Sequence, residues 1–209
     1  MIEAYADLAA RVLAVPARLG PVRLVAVDGP SGAGKTHFAE RLASSLAALV
    51  GVVVPVVHTD DLLDGWEDQL TFWPRLDAWV LGPLRRGRPG RYRVYDWHAG
   101  RFGDAWHTVP PAPVVILEGV SSARAAIRPE LSLAVFVTAP PAVRQRRVLA
   151  RDGEAVRPYL DRWRRIEERH FAVDATPHRV DLVVDGAPRP ADHPVPPHDP
   201  RRQFVRLDR

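Results

Sequence analysis

Gly29-Pro30-Ser31-Gly32-Ala33-Gly34-Lys35-Thr36 is the stretch on which the fold turns, because it satisfies G-x-x-x-x-G-K-[ST] between segments of the right kind. Upstream, residues 22–27 form a short apolar run rich in valine, which reads as a strand. Downstream, residues 38–49 are rich in alanine and leucine and stop at Gly51, as a helix with a glycine terminator does. Residues 52–57 are again strand-like. Strand, glycine turn, helix and strand make a βαβ unit with parallel strands and a right-handed crossover. The residue types suit a phosphate cradle. Glycines let successive backbone N–H groups converge on an anion without a Cβ in the way, and the following helix adds its N-terminal partial charge. We therefore expect Gly29, Ser31, Gly32, Ala33, Gly34, Lys35, Thr36 and the adjoining His37 to hold ATP. Lys35 would reach the β- and γ-phosphates, and Thr36 would offer its hydroxyl to Mg²⁺.

Working outward, residues 3–15 read as an N-terminal helix, broken by Pro16 and Gly20-Pro21. After the βαβ unit, strands are expected at 114–117, 131–138 and 180–184, with helices at 141–152 and 154–171. Between them, 62–110 reads as an insertion beside the sheet, where an acceptor would be held. It contains an aromatic-rich helix over 66–81 closing near Gly82-Pro83, a basic turn region at 85–93, and short strands at 92–97 and 106–109. We expect one domain over 1–186 and an extended or disordered Pro/His/Arg-rich tail over 187–209. No internal repeat is visible.

Composition narrows the classes. The 209 residues, 46% hydrophobic, suffice for one sizeable core. A formal net charge of +4 with arginines spread along the chain argues against a nucleic-acid binder, which would carry a clustered basic face. With no cysteine, disulfides, thiolate metal sites and a cysteine nucleophile are all excluded. The early acid Glu3 and the broken apolar stretch 42–57 lead us to expect no signal peptide and no membrane span, hence a cytoplasmic protein. Lys35 is the sole lysine among 29 basic residues. That rules out the Asn/Thr-Lys-x-Asp motif with which a GTPase reads guanine.

Three further groups carry chemistry. The third strand ends Val114-Val115-Ile116-Leu117-Glu118-Gly119, with a lone acid rather than the Asp-Glu of a helicase-type ATPase. Glu118 at a strand's carboxyl end suits a water-mediated Mg²⁺ partner. The second strand runs into His58-Thr59-Asp60-Asp61. That pair could supply a general base and a partner for metal or substrate, or could cap a helix before Leu62. Asp60 is our expected base, Asp61 the fallback. Finally, Arg144, Arg147 and Arg151 stand at i, i+3 and i+7, on one helix face, where an anionic transition state would join them.

These residues together resemble the uridine kinase and phosphoribulokinase-like family of P-loop kinases. The resemblance runs through residues 29–36, Thr59-Asp60-Asp61, Tyr95-Asp96-Trp97, Leu117-Glu118-Gly119 and the arginine-rich 144–152, and covers most of 20–186. It implies an α/β fold of the nucleoside/nucleotide kinase-like P-loop NTPase type, a central parallel sheet flanked by helices, with a substrate-holding insertion and an arginine-rich lid. It implies Asp60 as base and lid arginines closing over ATP. Family nucleoside kinases follow the base with an aromatic pair, where this chain has Leu62-Leu63. They carry a pyrimidine-contacting histidine three residues after the segment's aromatic; here that position is Gly100, and His98 stands two residues earlier. Asp61, Tyr95, Trp97 and His98 are the expected acceptor contacts. The expectation is a Mg²⁺- and ATP-dependent transfer to a hydroxyl of a small molecule, with a nucleoside leading. Another sugar or alcohol, or a non-kinase ATP-hydrolysing switch, stands as the alternative. Neither nucleic acid nor membrane is an expected partner, and a homo-oligomer is open.

Overall fold

The computed structural model describes residues 1–188 and 198–208. In chain order it builds β1 (Ile2–Ala4), α1 (Tyr5–Ala14), β2 (Arg23–Asp28), α2 (Lys35–Val50) and β3 (Val56–His58). Two single 3₁₀ turns, Thr59–Leu62 and Trp66–Asp68, lead into α3 (Trp73–Leu76), a π turn (Asp77–Leu81) and α4 (Gly82–Arg85). Then come β4 (Gly90–Tyr92), β5 (Tyr95–Asp96), β6 (Arg101–Phe102), β7 (His107–Val109), β8 (Val114–Glu118) and β9 (Leu131–Thr138). The chain ends with α5 (Pro141–Asp152), α6 (Arg157–Asp174), α7 (Thr176–Arg179), β10 (Leu182–Asp185) and β11 (Gln203–Leu207).

Seven strands form one sheet in the order β1-β11-β10-β9-β2-β8-β3. The run β10-β9-β2-β8-β3 is parallel throughout. The loop after β2 thus opens where the chain's strand order reverses, the crevice at which open α/β sheets bind ligands. Both faces are covered, and the strands are accordingly near-continuous apolar runs. Along β2, Val25 and Val27 pack with Leu8, Val12, Phe38 and Leu42 of α1 and α2. Leu24 and Ala26 face the other way, onto Leu62, Phe72, Leu76, Trp163 and Phe171.

Three expectations are corrected. The end of the chain is not a trailing tail: β11 inserts antiparallel between β10 and β1. Phe204 packs its ring 5.1 Å from Tyr5 and 5.3 Å from Phe38, so two apolar residues amid arginines suffice to anchor it. The part of the expected tail at 189–197 lies outside the described residues. Second, the aromatic helix begins only at Trp73 and passes through Gly82-Pro83. Gly82 N–H bonds back to Asp77 O, a wider i→i+5 turn that opens the helix just ahead of Pro83, whose ring and missing N–H would disrupt a regular turn. Third, the strand expected at 52–57 is confined to Val56–His58, because Val52 and Val53 are exposed at the sheet's edge. The insertion's strands form two separate hairpins, β4 with β7 and β5 with β6.

Candidate active site

Three glycines of the 29–36 loop adopt φ between 76° and 137°, which a side chain would resist. Close approach adds a second reason. A Cβ on Gly29 would lie 2.1 Å from Val137 O, and one on Gly32 would lie 2.5 Å from Arg144 O. The loop is pressed between β9 and α5, and only glycine fits. Lys35 opens α2, is buried, and donates from Nζ to Pro30 O at 3.3 Å. Its ammonium therefore lies folded back under the loop, where phosphate oxygens would be its partners. His37, exposed one turn into α2, lines a separate hollow of about 330 Å³ with Gly34, Arg41, Gly186, His198 and Arg201.

Parallel register sets the corner around Glu118. Because β3 pairs with β8, His58 stands directly beside Glu118, and His58 Nδ1 lies 2.6 Å from Glu118 Oε2. Thr36 Oγ1–H points at the same oxygen from 3.3 Å. Burial alone would raise the Glu118 carboxyl. The His58 contact and the Lys35 charge outweigh it and hold the group below its ordinary pKa. The His58 ring is correspondingly raised, first by that hydrogen bond. A threonine hydroxyl and an ionised carboxylate converging at one point are hard oxygen donors, which fit Mg²⁺ with retained waters.

Immediately beyond β3, Asp60 lines a cleft of about 510 Å³ with Ser31, Trp66, Trp97, His98, Arg151 and Trp163. Its surface is open through the cleft mouth, while protein packed on its other sides strips enough water to raise its pKa. Lys35 opposes that rise and Glu118 adds to it. Asp61 turns away, accepting from Tyr92 Oη–H at 3.4 Å; burial raises it, with His58 opposing. The cleft wall is aromatic. Trp66 stacks on Tyr159 at 5.2 Å and meets Trp97 and Trp163 edge-on at 5.1 and 5.6 Å.

Among the expected acceptor contacts, Trp97 and His98 line this cleft beside Asp60. Tyr95 packs behind it, edge-on to Trp97 and Phe102. The arginines share a helix face but not a partner. Arg144 is buried and donates from Nε to Ala139 O at 3.1 Å. Arg147 clamps three carbonyls, Gly32 and Ala33 of the loop at 3.2 and 3.4 Å and Gly186 after β10 at 3.0 Å. Arg151 faces the cleft, held in a two-bond fork by Asp152 at 2.7 and 2.8 Å.

Two buried acids escaped the sequence reading. Asp28, fully buried at the end of β2, accepts backbone N–H bonds from Gly29, Ser121 and Ala123 at 2.7, 2.9 and 2.8 Å. Its place just before the first loop glycine is the one local signal it gives. Glu167 on α6 takes the N–H of Ser31 at 2.9 Å. Its helical spacing to Trp163 is legible, but nothing local links it to the loop 136 residues away.

The loop, the switch-point crevice and the five parallel strands define a P-loop nucleotide-binding fold. A family model described as AAA domain (AAA_18) matches residues 25–171, and the chain belongs to that family. Two solved structures share the fold. A possible uridine kinase from Bacillus stearothermophilus superposes with a TM-score of 0.61 at 21% identity, over 86% of this chain and 96% of its own. A candidate fructose transport system kinase from Silicibacter sp. TM1040 gives 0.59 at 22%, over 78% and 94%. The curated relative inorganic pyrophosphatase TTM1 of Arabidopsis thaliana is 33% identical over 124 residues. That match takes in 55% of this chain and only 18% of the relative's length.

Proposed function

We propose that the chain is a Mg²⁺- and ATP-dependent kinase that phosphorylates a hydroxyl of a small, uncharged, ring-bearing molecule, a nucleoside being the leading candidate. The observation that carries this reading is Asp60, a carboxylate lining an aromatic cleft together with Ser31 of the phosphate loop. Residues 29–36 would hold the triphosphate, and Thr36 with Glu118 would hold Mg²⁺, which on binding polarises phosphate oxygens. Asp60 would take the proton from the acceptor hydroxyl as its oxygen bonds to the γ-phosphorus, while the β–γ bridging bond breaks toward ADP. Its raised pKa brings it toward the range useful for that task.

The cleft also supports the acceptor class. Of the described residues lining it, Arg151 is the one arginine, and Asp152 already occupies its guanidinium. Asp60 and Asp152 add two carboxylates, so an acidic acceptor would meet repulsion. Trp97 presents a ring that is 40% exposed, suited to stacking a flat base or the C–H face of a sugar.

The test is Mg·ATP consumption against nucleosides, neutral sugars, acidic alcohols and inorganic pyrophosphate, with product masses read out. A phosphorylated neutral acceptor is the expected product, and Asp60→Asn should cut its formation by roughly 10²–10⁴-fold while sparing ATP binding. Asp61→Asn should do less. Phosphate release from ATP or pyrophosphate with no acceptor phosphorylated, and indifferent to Asp60, would replace this reading with a hydrolytic one.

A further inference from the structure

Glu167 is a carboxylate only 1% exposed, and its two oxygens are treated very differently. Oε1 accepts from the Ser31 N–H at 2.9 Å, from the Ser31 hydroxyl, and from Trp163 Nε1–H at 2.8 Å. Trp163 Nε1 also lies 3.0 Å from Ser31 Oγ. Oε2 is buried with no hydrogen-bond partner among the described residues. None of the bonded donors is a cation; the compensating charge comes through space from Arg144, whose pKa burial lowers and Glu167 supports. A buried carboxylate arranged this way is costly, so its hydrogen bonds are the reason to look for a role.

Those bonds join two parts of the site. Ser31 is the third residue of the phosphate loop, directly before Gly32, whose φ is 76°. The N–H groups of such a loop turn toward an anion, but that of Ser31 is turned outward onto Glu167. Its peptide plane is thereby fixed at the point where the loop must bend. Trp163, the other donor, sits edge-on to Trp66 in the wall of the cleft, and Gln69 Nε2–H bonds the Trp163 carbonyl at 3.3 Å. One oxygen atom therefore ties the phosphate loop to the aromatic wall.

We infer that Glu167 is a positioning residue, which sets the phosphate loop through Ser31 and couples that loop to the acceptor cleft through Trp163. The inference rests on the nucleotide reading above and adds a residue to it. Geometry rather than charge is the agent. Glu167→Gln retains an oxygen for the Ser31 and Trp163 N–H groups, whereas Glu167→Asp retains the charge but withdraws it by roughly one bond length, about 1.5 Å, beyond hydrogen-bond reach.

Calorimetric titration with Mg·ATP, together with tryptophan fluorescence during the same titration, tests this. Trp163→Phe identifies the part of the fluorescence response that belongs to Trp163. Glu167→Gln should bind Mg·ATP within about twofold of wild type and keep the Trp163 response. Glu167→Asp should bind about tenfold more weakly, as expected for losing hydrogen bonds to an ionised group, and lose the response. Glu167→Met, of similar size but without an oxygen, should match the aspartate and serves in its place if that variant does not fold. Wild-type affinity and response in the Asp and Met variants would overturn the inference alone, as would the reverse order with Gln the weak binder. If the wild type does not bind Mg·ATP, the nucleotide reading falls and this inference with it.

Discussion

Asp28→Asn separates the contribution of one buried carboxylate from everything around it. The side chain is fully buried and accepts from three backbone N–H groups, Gly29 and Ser121 on Oδ1 and Ala123 on Oδ2. Asparagine can keep the two bonds on its oxygen, but its amide then faces the Ala123 N–H donor to donor. Losing that bond and leaving a buried N–H unpaired costs ~3 kcal/mol together. In a chain of this size that lowers Tm by about 6–12 °C. The effect would not be confined to stability. Ser121 and Ala123 belong to the loop following Glu118, so the same clamp fixes the phosphate loop against the carboxylate expected to face Mg²⁺.

The pH dependence decides how the group ionises. Burial raises Asp28 from 3.8 to about 7, with the three N–H bonds and Lys35 opposing. With the folded pKa above the unfolded one, the folded protein binds more protons between those values. The stability this group contributes is then fully present below about pH 4 and lost as pH rises to about 7, with a slope of at most ~1.4 kcal/mol per pH unit. The asparagine does not titrate. Denaturant melts of both proteins from pH 4 to 8 should show their stability difference narrowing toward pH 7, other titrations cancelling in the difference. A difference that widens would mean the N–H bonds outweigh burial, and a Tm at pH 4 within 2 °C of wild type would refute the clamp.

Two further outcomes follow from the loop. Millimolar Mg·ATP should raise the wild-type Tm by mass action and Lys35→Ala should abolish most of that rise, which differential scanning fluorimetry can read directly; no rise in the wild type would remove the nucleotide assignment. Arg147→Ala, which frees the carbonyls of Gly32, Ala33 and Gly186, should weaken Mg·ATP binding roughly tenfold and lower kcat less. A loss of ~10³ in kcat at unchanged affinity would instead make Arg147 a transition-state arginine.

What could be read from sequence divides by the distance over which each feature is encoded. The phosphate loop was legible because its glycines, lysine and threonine are contiguous and each answers to its own backbone conformation. Glu118 was legible as a strand-terminal acid, and β3–β8 register then supplied what sequence could not, the His58 ring 2.6 Å away. Sequence favoured Asp60 as base with Asp61 as the fallback, but adjacency alone could not show where either side chain points. They part because a 3₁₀ turn over Thr59–Leu62 sends one into the cleft and the other toward Tyr92. The arginine stripe shows the limit most sharply. Helical spacing correctly put Arg144, Arg147 and Arg151 on one face, but a shared face says nothing of what lies opposite each turn of it. Opposite the first turn are the Ala139 carbonyl and the charge of Glu167, opposite the second the loop's carbonyls, and only the third reaches the cleft. Glu167 has the same origin. Its partners come from a loop 136 residues earlier, and a contact of that span is created by the closing of α6 over the sheet rather than by any local pattern. A search for motifs will therefore find the contiguous loop expected to hold phosphate, and will pass over the buried acids, Asp28 and Glu167, that bond its backbone.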